Sequence, residues 1–208
     1  NLIQAFLWGD YNAEPNTEYQ YSATPVYGSP TDQKNGTTVT VTITTEDPHS
    51  GTHGVFFNRG TVGQAYARKF DNKNPDKVPN HEAYKWLSRG LEEAMLGFIG
   101  EAKNKDFGLR VAAYEFDYVP VIQALYDASE RGADVKILFD RSHRGPWENT
   151  DKAIANVSGV EKLMIPRSAN SSIKHNKYIV LLHKGKPVQV LMGSTNFTKG
   201  GIFGQSNV

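Results

Sequence analysis

Cysteine is absent from all 208 residues. Disulfides and thiolate metal sites are therefore excluded, and the redox compartment is left open. Long apolar runs are also missing: no stretch approaches the roughly 18 residues that a membrane-spanning helix needs. The first ten residues, NLIQAFLWGD, lack the basic start and apolar stretch of a secretory leader. They also lack an initiator Met, as expected of a processed or excised chain. The compartment stays open, with a soluble, cytoplasmic setting favoured. Internal repeats and low-complexity tracts are not seen. Acidic residues stop at Glu161, and all seven ionisable Lys and Arg that follow (Lys162, Arg167, Lys174, Lys177, Lys184, Lys186, Lys199) stand without a single Asp or Glu among them. The net charge of the whole chain is only +1, so this basic end sits on an acidic body, a distribution that suits an anionic substrate.

What is present is enough for a core. Apolar residues make up 38% of the chain and include three Trp, which excludes global disorder. Residues 1–70 read as a β-rich module. TTVTVTITT (37–45) alternates Val39, Val41 and Ile43 with threonines, the pattern of a half-buried strand, and Asn35-Gly36 marks a turn before it. HGVFFNRG (53–60) is a further strand candidate. Residues 71–80, with two prolines, read as a linker. The remainder, 81–208, reads as an α/β domain. Apolar positions from Ala83 to Ala102 recur at helical spacing and predict one long helix, with Asn80 capping its first turn. LRVAAYEF (109–116) is a strand, Pro120 opens a helix over about 120–131 that Gly132 ends, and DVKILFD (134–140) is a parallel strand beside the first. A short helix near 150–157 and a strand at 161–165 repeat the alternation. KHNKYIVLL (174–182) and PVQVLMG (187–193) form a strand pair. The expected fold class is α/β, a mixed sheet flanked by helices, preceded by the small β-rich module.

Two strings in the last pair carry the chemistry: HNK at 175–177 and GSTN at 193–196. Side chains alternate along a strand, so His175 and Lys177 face the same way. GSTN follows the next strand directly, which brings Ser194 and Asn196 beside them, with Gly193 allowing a close turn. An imidazole can serve as nucleophile or proton donor near neutrality. An ammonium and an amide can neutralise the non-bridging oxygens of a phosphodiester. Such a site needs neither metal nor cofactor, and none is expected.

This pairing resembles the HxK…GSxN half-site of the phospholipase D superfamily over roughly residues 109–208. The resemblance implies phosphodiester cleavage through a phosphohistidine intermediate, with His175 as nucleophile or general acid, Lys177 and Asn196 binding phosphate, and Ser194 supporting the site. It implies a mixed α/β half-domain, the N-terminal half of a two-motif enzyme. The chain departs from the pattern twice. Leu182 stands where the family motif carries Asp, on the strand face opposite His175. And His49, His53, His81, His143 and His183 all lack a Lys two residues on, so there is one half-site only. The family builds one active site from two. The second is expected from sequence beyond Val208, since the chain stops abruptly after GQSNV, or from a second chain.

The substrate is a phosphodiester, of a phospholipid or a nucleic acid. Ile202-Phe203 could form the apolar rim that a lipid would want, and the basic segment the groove that a nucleic acid would want. A binding module that keeps a phosphate cleft without turnover is the alternative. Arg141, His143, Arg144, Trp147 and Arg59 are further candidates for the cleft, each more simply read as loop or core. Glu115 and Asp117 share a face at a strand exit, where a solvated edge is the simplest reading.

Overall fold

The computed structural model describes residues 3–5, 7–60, 63–141, 146–167 and 174–208. They divide into two compact units, Asn1–Val55 and Phe56–Val208.

The first unit is built of small antiparallel pairs. Strand β1 (Glu18–Ala23) pairs with β4 (Val39–Thr44), β2 (Val26–Ser29) with β3 (Asp32–Asn35), and β5 (His49–Ser50) with β6 (His53–Gly54). The threonine-alternating segment is a strand, as its period requires. Its aliphatic side chains are not half-buried, however: Val39, Val41 and Ile43 are 68%, 52% and 48% exposed. Their register partners are Ala23, Tyr21 and Tyr19, so one face is apolar and the other pairs Glu18, Gln20 and Ser22 with threonines. Tyr19 and Tyr21 stack with ring centroids 6.0 Å apart, and Trp8 meets Tyr21 edge-on. Tyr11 and Tyr27 are exposed rather than core. No described residue of 3–55 is buried.

The buried residues belong to the second unit. It begins with helix α1 (Gly63–Phe70), in a stretch that the sequence assigns to the β-rich module. The strand expected over 53–60 is reduced to His53–Gly54. The long helix expected over Ala83–Ala102 is two helices, α2 (Glu82–Ser88) and α3 (Leu91–Gly100). Arg89 and Gly90 between them are left-handed, with φ of 50° and 87°, which no helical pattern of apolar residues reveals. Asn80 also has positive φ and does not cap; His81 holds that position without a side-chain bond.

The sheet follows in the order β11 (Lys186–Met192), β10 (Lys177–His183), β7 (Phe107–Ala113), β8 (Asp134–Asp140), β9 (Met164–Arg167). Strand β7 (Phe107–Ala113), helix α4 (Val119–Glu130) and β8 (Asp134–Asp140) form a parallel crossover unit, with Pro120 in the first turn of α4, where a missing N–H costs nothing. Helix α5 spans Pro146–Ile154, earlier than expected, and β9 spans Met164–Arg167, parallel to β8. Strand β10 (Lys177–His183) lies antiparallel to both β7 and β11 (Lys186–Met192), and α6 (Lys199–Phe203) follows. The chain thus forms the mixed, helix-flanked five-stranded sheet that its alternation of elements dictates.

Period-two burial shows which face meets the helices. Leu109, Val111, Ile137, Ile179 and Leu181 are buried together with Met95, Ile99, Val121, Ile122 and Leu125 of α3 and α4. Lys177 has the same parity as Ile179 and Leu181. The backbone of the strand that builds the core therefore delivers that lysine to the core side of the sheet end.

Candidate anion site at the end of strand β10

His175 stands just before β10 and Lys177 opens it. The entry is anchored from below: Asp140, buried at the end of β8, accepts the backbone N–H of Lys174 at 2.8 Å. Lys177 is 6% exposed. Its Nζ lies 2.8 Å from His175 Nδ1 and donates to the His175 carbonyl at 2.9 Å. An ammonium can only donate, so Nδ1 accepts and the ring proton resides on Nε2. Tyr114 backs both groups. Its ring centroid is 4.7 Å from that of His175, and Lys177 Nζ is 5.4 Å from the ring. Burial holds the Lys177 ammonium below the usual lysine range, partly offset by the Glu115 carboxylate. Burial likewise raises the Tyr114 phenol, helped by the charges of Glu115 and Asp140.

The GSTN turn is fixed to the same strand end. Gly193 N–H donates to the Lys177 carbonyl at 3.4 Å. A methyl group at position 193 would sit 2.1 Å from the Val208 carbonyl oxygen, so this position must be glycine. That carbonyl accepts from Ser194 N, Thr195 N and Thr195 Oγ1 at 2.9, 3.3 and 2.9 Å. Ser194 Oγ donates to Asn207 at 2.9 Å and accepts from Val208 N at 3.2 Å. Its hydroxyl is therefore committed to the 207–208 segment and braces the turn from outside.

Asn196 points the other way. Its amide nitrogen donates to the Glu115 carboxylate, and its Oδ1 is buried with no partner among the described residues. An unpaired buried acceptor costs about 1–3 kcal/mol. The backbone holds it there. Phe116 and Phe197 form a parallel bridge, and Asp117 and Tyr118 both donate to the Phe197 carbonyl at 3.1 and 3.0 Å. Behind Asn196, Gly201 packs so closely that a methyl there would lie 2.4 Å from the Asn196 oxygen. Thr198 caps that helix, accepting from Gly201 N at 2.9 Å.

His175 and Lys177 are thus in direct contact, and Asn196 joins them through Glu115, whose carboxylate bonds its amide and whose charge reaches Lys177. Glu115 is half-buried, not a solvated edge. Together with Tyr114 it is what sequence reasoning missed. The only signal was position: both leave the strand that registers Ala113 opposite Lys177.

Other candidates do not converge there. Arg59 is buried, donates to the Trp86 carbonyl at 2.6 Å and stacks on that indole. Arg141 pairs with Asp151 at 2.7 Å over Trp147. His143 and Arg144 lie outside the described residues. Nor is the basic segment one patch. Lys162 pairs with Glu130 and Lys199 with Asp76, while Lys184 and Lys186 turn the corner at the far end of β10, roughly 20 Å from Lys177 at ~3.3 Å per residue. Ile202 and Phe203 form no apolar rim: they are 0% and 5% exposed, inside α6. Leu182 is half-buried on the parity opposite Lys177, beside a register shift in the β10–β11 pairing. Among the described residues, no helix is long and apolar enough to cross a membrane.

A family model described as cardiolipin synthase, phospholipase D-like domain, matches residues 95–208. The crystal structure of a phospholipase D family member, Nuc from Salmonella typhimurium, is 31% identical. The match covers 56% of this chain and 70% of that one, with a TM-score of 0.43. Polyphosphate kinase from Porphyromonas gingivalis is 21% identical over 56% of this chain and 19% of its own, with a TM-score of 0.37. No curated protein sequence matches.

Proposed function

Starting from a chain that belongs to the phospholipase D family through residues 95–208, we propose that it is a metal-independent phosphodiesterase half-site. Lys177 and the Asn196 amide bind the non-bridging oxygens of a phosphodiester, and His175 acts at the phosphorus or on the leaving oxygen. The observation that carries this reading is the 2.8 Å pairing of Lys177 Nζ with His175 Nδ1. It puts a cation at the imidazole and leaves Nε2 as the ring's working atom.

The chemistry divides in two. A histidine Nε2 attacks phosphorus, the N–P bond forms as the P–O bond to the leaving group breaks, and an acid protonates the departing oxygen. Water then attacks phosphorus and releases the histidine, giving its proton back to the conjugate base of that acid. With Nδ1 accepting from Lys177, the His175 ring presents an N–H rather than a lone pair at Nε2. It becomes the nucleophile once that proton is lost or moved. The complementary histidine belongs to a second half-site, supplied by a second copy of this chain or by further sequence. Burial of Ile202 and Phe203 removes the feature that favoured a lipid, and the diester remains the shared chemistry.

The test is turnover of bis(p-nitrophenyl) phosphate, a phospholipid and single-stranded DNA across a range of protein concentrations, with His175→Ala and Lys177→Ala alongside. A rate per chain that climbs with concentration and vanishes in both variants supports pairing of half-sites. A labelled diester should leave an acid-labile, base-stable adduct on histidine. Salt-sensitive binding of all three substrates, with no turnover, would make the chain a phosphate-binding module instead. The presence of one imidazole and of Leu182 favours that second reading.

A further inference from the structure

Glu115 has no assigned role in the site above, yet it is the group that links Asn196 to Lys177. Its position is set by backbone: the Phe116–Phe197 bridge and the two bonds to the Phe197 carbonyl hold residues 115–118 against the GSTN turn. An asparagine amide has two N–H donors. One is taken by the Glu115 carboxylate, and the second remains for a ligand. The reverse amide orientation would press Oδ1 against the carboxylate, so the orientation is locked.

The charge count matters as much. The site holds the Lys177 ammonium and the His175 imidazole against the carboxylate of Glu115. Asp117, half-buried two residues on, has its carboxyl raised by burial and by the same Glu115 charge, which marks this corner as rich in negative charge. A diester brings one negative charge and an ionised monoester brings two. A fixed carboxylate penalises the second charge.

We propose that Glu115 is a positioning and specificity residue: it locks the Asn196 amide toward the phosphate and makes the site select singly charged diesters over doubly charged monoesters. The proposal rests on the anion-site reading above. In the low-dielectric corner beside Lys177, one unit charge a few ångströms away is worth a factor of ten or more in affinity, about 1.4 kcal/mol.

The experiment titrates dimethyl phosphate and methyl phosphate into the unaltered chain, Glu115→Gln and Glu115→Ala at pH 8, where the first is a monoanion and the second a dianion. Gln keeps an acceptor for the Asn196 amide and loses the charge. Glu115→Gln should tighten methyl phosphate at least tenfold relative to dimethyl phosphate. Glu115→Ala should shift the ratio equally but bind both ligands several-fold more weakly than Glu115→Gln, because the amide is released. Thermal melts of the three proteins establish that each is folded; if Glu115→Ala does not fold, the ratio in Glu115→Gln decides. An unchanged ratio with both ligands bound overturns this proposal and leaves the anion site standing. Failure of dimethyl phosphate to bind the unaltered chain overturns the anion site and this proposal with it.

Discussion

Gly201→Ala is the sharpest perturbation of the site that touches no proposed ligand. A methyl group at 201 would lie 2.4 Å from the Asn196 carbonyl oxygen and 3.1 Å from its carbonyl carbon and amide nitrogen. All three are backbone atoms, so no rotamer relieves the clash. Reaching ordinary contact requires α6 and the GSTN turn to part by the better part of an ångström. Forcing a methyl into such a contact costs about 1–3 kcal/mol. For a unit of this size, that corresponds to a fall of roughly 3–10 °C in melting temperature. The effect on function should be larger in proportion, because a displacement of this order at a positioned group costs about a hundredfold in rate. Gly200→Ala is the internal control. Its methyl meets only Thr198 Oγ1, at 3.9 Å, and better helix propensity should leave stability equal or up to about 1 kcal/mol higher. Thermal unfolding and dimethyl phosphate titration of the two variants settle the matter. If Gly201→Ala melts and binds like Gly200→Ala, the argument that α6 fixes Asn196 is refuted.

Lys177→Met should abolish anion binding while leaving the melting temperature unchanged or raised at neutral pH, since it removes a buried charge. The sign follows from linkage: a lysine held below its unfolded value binds fewer protons folded than unfolded, so its contribution grows as pH rises through the window ending near 10.5. That rise should be absent from the variant's stability–pH curve. Ser194→Ala should cost about 1 kcal/mol by freeing Asn207 and Val208, with only a modest loss of dimethyl phosphate affinity by the same titration. Phe203→Ala should destabilise by about 3–5 kcal/mol in denaturant melts, with no selective loss of phospholipid binding, because this ring is core. Turnover, where measured, should survive exhaustive chelation with EDTA; its loss would sink the metal-independent mechanism.

The sequence by itself determined the strands of the sheet and the pairing of His175 with Lys177 at its end. Strand alternation puts His175 and Lys177 on one side, because local geometry fixes it; only the fold shows which side of β10 meets the core, since residues 178–182 are apolar throughout. The Pro120 start and Gly132 end of α4 were equally legible, since their backbone constraints are intrinsic. Local rules failed where distant chain segments decide. Arg89 and Gly90 break a helix whose apolar spacing runs on unbroken. Arg59 is open between turn, core and cleft until Trp86 packs on it, and Ile202-Phe203 could be an exposed rim until α6 buries them. Only the tertiary structure could show that Glu115, 81 residues from Asn196, holds its amide: the contact depends on the β7–β10 register and the Phe116–Phe197 bridge, and no spacing within one strand or helix encodes an approach between two loops.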